Sequence, residues 1–239
     1  MARFSLEEFT NFLSGIDLTA FRERYALTKI LERDLPRNIQ ALNTIYAEYW
    51  NNVANRKHPL SFEEYYDNVY YRTLRNDIEY FWHEHSGFGT NCDCFKRGLR
   101  ARIYRTWASL ITQIHGGYVA ESVFGNGCVQ MSADLDHSGI DFLITTNGRE
   151  IKIQVKKETA RREIARMDDG RSKNTDIVYI TYNVPPKSDF DAPKYKVGAK
   201  KGLLRNSLHN FVEFNENGTL KRLPNGFVIF TDNAFRNLP

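Results

Sequence analysis

Gly139-Ile140-Asp141-Phe142-Leu143-Ile144-Thr145-Thr146-Asn147-Gly148-Arg149-Glu150-Ile151-Lys152-Ile153-Gln154-Val155-Lys156-Lys157 sets two runs rich in β-branched residues on either side of an Asn-Gly pair. Both central positions of a two-residue type I′ turn need φ > 0, and Asn-Gly supplies this at least cost, so the stretch predicts a β-hairpin. With Asn147 and Gly148 in the turn, Thr146 faces Arg149, and the same register carries Asp141 opposite Gln154. Opposed residues share a face, with Cβ atoms roughly 4.5–5.5 Å apart. Alternation then gathers Lys156 with Gln154 and turns Ile151, Ile153 and Val155 the other way. The expected product is a sheet with an apolar underside and a polar face carrying a carboxylate, an amide and an ammonium group.

Those groups suit metal-dependent cleavage of a phosphodiester. The reaction needs a polarised phosphorus, an activated water and a neutralised leaving oxygen. A hard cation such as Mg²⁺ takes oxygen ligands and is commonly held by one or two carboxylates plus phosphate and water. It polarises phosphate and acidifies bound water, and an adjacent lysine orients that water and offsets developing charge. On this pattern Asp141 is the main ligand and Lys156 the water-handling cation. Gln154 offers a side-chain oxygen, and Val155 a backbone carbonyl. Mn²⁺ is the expected substitute for Mg²⁺. The competing reading is a solvated Asp–Lys salt bridge across an ordinary hairpin.

The chain of 239 residues is 41% hydrophobic and 13% aromatic, enough to bury a substantial core, and its formal charge of +4 permits nucleic-acid binding without requiring it. Cys92, Cys94 and Cys128 are an odd number without a secretory framework, which points to a reducing cytoplasm. No signal peptide opens the sequence, and no apolar run approaches the roughly 20 residues of a membrane span.

Residues 1–115 read as mostly helical. Ser5 with Glu8 and Ser61 with Glu64 form capping boxes. Helical spacing runs through Leu18–Leu27, Ile39–Tyr49 and a long tyrosine-rich segment to about Trp82. His83, His85, Cys92 and Cys94 suggest zinc, but pairs split by a single residue close a tetrahedral site poorly, and a loop with buried cysteines is the better expectation. From Phe95 to His115 an apolar stripe is backed by Lys96, Arg97, Arg100, Arg102 and Arg105, either a phosphate-tracking face or a solvated one. After Gly116-Gly117 the pattern changes to strands: a hairpin over Tyr118–Phe124 and Cys128–Ser132, the central hairpin, a charged helix over 158–167, a buried strand over 176–183, a lysine-rich loop to 201, a helix over 203–214 and a last strand over 226–231. A mixed central sheet flanked by helices, with a mostly helical N-terminal half, is the α/β architecture implied.

The Asp–hairpin–Gln-x-Lys pattern resembles the PD-(D/E)xK nuclease core. The chain from about Phe9 to Phe230 resembles restriction endonucleases of the TaqI type. The likeness runs through Asp34-Leu-Pro36-Arg37, Leu60-Ser-Phe62, Gly98-Leu-x-Ala-Arg-x-Tyr-Arg-Thr106, Gln113-x-His115, Leu135-Asp136-x-x-Gly-Ile-Asp141, Gln154-x-Lys-Lys-Glu-Thr159 and Asn225-Gly-Phe-Val-Ile-Phe230. The resemblance implies one endonuclease domain over 1–239, with a helical part to 115 and a catalytic and DNA-binding part over 116–239. It implies a Mg²⁺-dependent homodimer that reads TCGA in double-stranded DNA and cuts after the T, leaving two-base 5′ ends, beside a cognate DNA methyltransferase. It makes Asp141 the metal-binding acid, Asp136 a second acidic position, and Lys156 the catalytic lysine, with Lys157 the alternative. Gln154 stands where the parent motif has an acid, so a further carboxylate from Asp136 or Glu121 is expected. Arg100 replaces a glutamate of the founding member. Candidate DNA contacts are Arg161, Arg162, Arg166, Arg171, Lys173, Asn174, Lys200, Lys201, Arg102 and Arg105. A structure-specific repair or junction nuclease and a non-catalytic DNA-binding module are the competing classes.

Overall fold

Ser5 and Ser61 start helices by the device the sequence predicts. The Ser5 hydroxyl accepts from the Glu8 amide (3.1 Å) while Glu8 accepts from the Ser5 amide (2.7 Å). Ser61 and Glu64 repeat the exchange at 3.3 and 2.8 Å. Orphan N–H groups at both helix starts are thereby satisfied. The computed structural model describes residues 3–25, 30–31, 34–51, 56–85, 92–157, 176–182 and 217–238. They divide into two units, 1–114 and 115–239.

In the first unit, α1 (Leu6–Ser14), α2 (Leu18–Tyr25), α3 (Leu42–Tyr46, continued by a π-helical turn over Ala47–Asn51), α4 (Phe62–Tyr65, continued by a π-helical turn over Tyr66–Tyr70), α5 (Tyr71–His85) and the first part of α6 (Cys92–Phe124) surround an aromatic core. Phe62 and Tyr104 meet edge to face at 5.1 Å, and Phe21 stacks on Tyr104 at 5.0 Å. Burying tyrosine and tryptophan requires partners for their polar tips. Trp107 Nε1 donates to Tyr49 Oη (2.8 Å), which donates onward to the Leu60 carbonyl (2.8 Å).

The second unit begins inside α6. The glycine pair at 116–117 does not end the helix as expected, and the segment expected as a first strand (118–124) is its continuation. The reason is packing. A Cβ on Gly116 would lie 3.3 Å from Phe230 Cδ2 and 3.7 Å from Phe235 Cζ, so the missing side chain lets those rings close on the helix. Only β1 (Val129–Gln130) remains of the expected first hairpin. A short helix the sequence reading lacked, α7 (Ala133–His137), follows. Then come β2 (Phe142–Thr146), β3 (Arg149–Lys157) and β4 (Ile177–Tyr182). The sheet order is β1-β2-β3-β4, antiparallel except for the parallel β3–β4 pair. β5 (Leu220–Arg222) pairs with β6 (Val228–Phe230), and α8 (Asn233–Arg236) closes the chain. Phe142, Ile144, Ile153 and Phe235 are fully buried. This is a mixed α/β protein with a helical N-terminal half. Cys94 lies on the first turn of α6 and is exposed rather than buried in a loop. The expected helices over 158–167 and 203–214 and the lysine-rich loop lie outside the described residues. No helix among the described residues is long and apolar enough to cross a membrane.

Candidate active site

The turn behaves as its sequence dictates: Asn147 has φ +50° and Gly148 φ +72°. The register follows, with Thr146 opposite Arg149 and Phe142 opposite Ile153. On β3, Ile151, Ile153 and Val155 are buried, while Lys152, Gln154 and Lys156 are half-exposed on the other face.

The ladder breaks at Asp141. Thr145 donates to the Cys128 carbonyl (2.8 Å), so odd residues of β2 face β1 and even ones face β3. An unbroken strand would therefore turn the Asp141 amide toward β1. It bonds the Ile153 carbonyl on β3 instead, at 2.9 Å, in the manner of a β-bulge. The carboxylate follows the backbone: Asp141 Oδ2 accepts from the Val155 amide at 2.5 Å. Asp141 thus caps the end of the hairpin against β3 rather than standing opposite Gln154, which corrects the register expected for this one residue. The helix before it forces the bend. The Gly139 amide bonds the Asp136 carbonyl and the Ile140 amide bonds the Leu135 carbonyl, both 2.9 Å, completing a Schellman motif with Gly139 at φ +79°.

Asp141 is 5% exposed, and its carboxyl is pushed up to about 7. Burial is the main cause. The hydrogen bond from Val155 opposes it, the negative charge of Asp136 adds to it, and the positive charge of Lys156 opposes it. Among the described residues no ion pair joins Asp141 to Lys156, so the ordinary cross-strand salt bridge is not formed. The Lys156 ammonium lies 5.1 Å from the centre of the Tyr179 ring. Tyr179, which lies on a strand whose apolar sequence predicts burial and gives no sign of a site, is 45% exposed. The signal lay in alternation: Ile180 and Tyr182 are buried and Tyr179 turns to the Gln154 side.

The other candidates take different positions. Glu121 is 8% exposed, and its Oε1 accepts from the Gly127 amide (2.9 Å), closing the turn after α6. Asp136 is half-buried on α7. Lys157 pairs with Tyr182 in the sheet, and its side chain lies outside the described residues. So do Arg161, Arg162, Arg166, Arg171, Lys173, Asn174, Lys200 and Lys201. In the first unit Arg105 is exposed and Arg102 donates to Thr106 Oγ1 at 3.1 Å. Arg100 is not a free phosphate contact. It binds both Asp67 oxygens (2.9 and 3.0 Å) and Tyr25 Oη (3.1 Å), and lies 4.6 Å above the Tyr66 ring.

Comparison with known proteins matches residues 6–239 to the family described as TaqI restriction endonuclease. The type II restriction enzyme TaqI of Thermus aquaticus is 32% identical over 250 residues, covering 99% of this chain and 88% of that protein. The type II restriction enzyme TthHB8I of Thermus thermophilus is 32% identical over 243 residues, covering 98% and 86%. No solved structure matches the chain significantly. The chain belongs to the TaqI restriction endonuclease family, whose members are type II site-specific deoxyribonucleases.

Proposed function

We propose that this restriction enzyme carries a PD-(D/E)xK core in one 1–239 domain. It acts as a Mg²⁺-dependent homodimer that cuts double-stranded TCGA after the T, leaving two-base 5′ ends. The observation that carries the reading is a buried Asp141 carboxyl beside a second acid, Asp136, with no ion pair to Lys156. Two carboxyls sharing a poorly solvated site repel, and a cation relieves the repulsion. That donor set fits a hard divalent ion. Among the described residues no three His, Cys, Asp or Glu side chains cluster, but Mg²⁺ needs only one or two carboxylates when phosphate and water complete its shell.

Asp141 and Asp136 would hold the ion with the Gln154 side-chain oxygen and the Val155 carbonyl. In a strand a residue's N–H and C=O lie on one edge, so the Val155 carbonyl shares the edge on which its amide meets Asp141. When bound, Mg²⁺ or Mn²⁺ polarises the scissile phosphate and acidifies water. The Val155 amide fixes one oxygen of Asp141, leaving the other for the ion. Lys156 orients the attacking water and offsets charge on the phosphate. Glu121 serves the turn. Arg102 and Arg105, with the basic residues of 161–174 and 200–201, supply DNA contacts. A palindromic site suits a two-fold dimer in which each subunit reads one half, and a cognate methyltransferase protects the host.

Sequencing the ends of a genome digested with Mg²⁺ tests this directly. Discrete ends at TCGA, lost in Asp141→Ala, are expected. Discrete ends at another palindrome would overturn the TCGA assignment alone, and cutting only at branched or damaged DNA would overturn the whole reading.

A further inference from the structure

A lysine is a compact charge on a flexible four-carbon stem, and something must hold it if it is to meet one water or one phosphate. Among the described residues no carboxylate lies within ion-pair distance of Lys156. The contact it does make is with the Tyr179 ring, 5.1 Å from ring centre to Nζ, inside the roughly 6 Å range of a cation–π attraction. The parallel pairing places Tyr179 beside Gln154 and Thr181 beside Lys156, so Tyr179 and Lys156 are diagonal neighbours. Tyr179 is 45% exposed while Ile180 and Tyr182 are buried; its ring adds little to the core.

A ring differs from a carboxylate as a support. It attracts the ammonium without accepting strong hydrogen bonds, so all three N–H donors stay available to water and phosphate. It also leaves the negative charge of Asp141 unopposed by a closed ion pair.

We propose that Tyr179 is a positioning residue for Lys156, its ring holding the ammonium over the polar face of β3. The inference rests on the role given to Lys156 above. The test is steady-state cleavage of a duplex carrying the mapped site by wild type, Tyr179→Phe, Tyr179→Leu, Tyr179→Met and Lys156→Ala. Phe, which keeps the ring, is expected within about twofold of wild type. Leu and Met, which remove it, are expected to lower kcat about five- to tenfold with KM unchanged. Wild-type or raised kcat in Leu and Met overturns the proposal. So does a change in KM alone, which would make Tyr179 a DNA contact, or an equal loss in Phe and Leu, which would implicate the hydroxyl. Two aliphatic replacements guard against one misfolding, and thermal midpoints are recorded for each. Lys156→Ala separates the two readings: full activity there removes the role of Lys156 itself, whereas an inactive Lys156→Ala beside an unaffected Tyr179→Leu removes only the role of Tyr179.

Discussion

The Val155 amide meets Asp141 Oδ2 at 2.5 Å, in the place where an unbroken hairpin would offer the Ile140 carbonyl. A side chain has replaced a rung of the ladder. The carboxylate proposed above as the metal ligand is therefore also the group that satisfies the last amide of the pairing, and it is held by backbone rather than by a flexible partner. Such support would fix a ligand without an opposing charge on its partner.

Two replacements of Asp141 separate these roles. Asn keeps an oxygen for the Val155 amide and loses the charge, so Asp141→Asn should abolish cleavage while leaving the metal-free fold at least as stable as wild type. Ala removes the acceptor and leaves a buried N–H without a partner, which costs about 1–3 kcal/mol. Thermal or urea unfolding, run beside a plasmid-cleavage assay, distinguishes them. Equal stability of the two variants would show that the Val155 contact contributes nothing to the fold.

Metal addition has a readout independent of turnover. An ion held by Asp141 and Asp136, as proposed, would bind only the folded state and stabilise it by ~2.7 kcal/mol at a hundred times its Kd. Mg²⁺ should therefore raise the unfolding midpoint of wild type and leave that of Asp141→Asn unchanged. An equal rise in both would place the ion elsewhere.

Gly139 sets the direction from which the chain enters the site. Its φ of +79° is a left-handed conformation, and an added Cβ would lie 3.7 Å from Gln154 Nε2, an ordinary contact. Strain of the backbone is thus the whole expected effect. Gly139→Ala should destabilise by about 1–2 kcal/mol, and Gly139→Asn by less, because asparagine tolerates this region. Denaturant titration of both variants checks the ranking. If Ala matched wild type, the Schellman turn would not be holding Asp141.

The hairpin was legible because its signals are local. Asn147-Gly148 specify the turn, and the alternation of Ile151, Ile153 and Val155 specifies the buried face. The bulge at Asp141 was not, since it depends on how α7 ends at Gly139 and hands the chain to β2. Gly116 misled for a similar reason. Whether a glycine breaks a helix or admits a ring depends on Phe230 and Phe235, more than a hundred residues away in sequence. Tyr179 was hidden because an apolar run does not reveal whether a strand is covered on both faces or on one. The resemblance through Gly-Ile-Asp and Gln-x-Lys-Lys-Glu-Thr pointed to the family directly, and the full-length match bears that out.

His115 contributes a sensitivity to acid, which the raised carboxyl of Asp141 opposes over part of the same range. It is 1% exposed on α6, and burial pushes its imidazole down to about 3, so the folded state keeps it neutral. The unfolded chain takes up the proton near the usual value of 6.5. Between those values the unfolded state binds more protons, so stability falls as pH falls, by about 1.4 kcal/mol per pH unit from this group alone. The contribution is fully retained above about pH 6.5 and declines toward pH 3. Replacing His115 with glutamine, which does not titrate, should remove about 2 kcal/mol of the difference in unfolding free energy between pH 7 and pH 5. Urea titrations of wild type and His115→Gln at the two pH values measure it. Parallel losses in both proteins would assign the acid sensitivity to carboxylates rather than to this histidine.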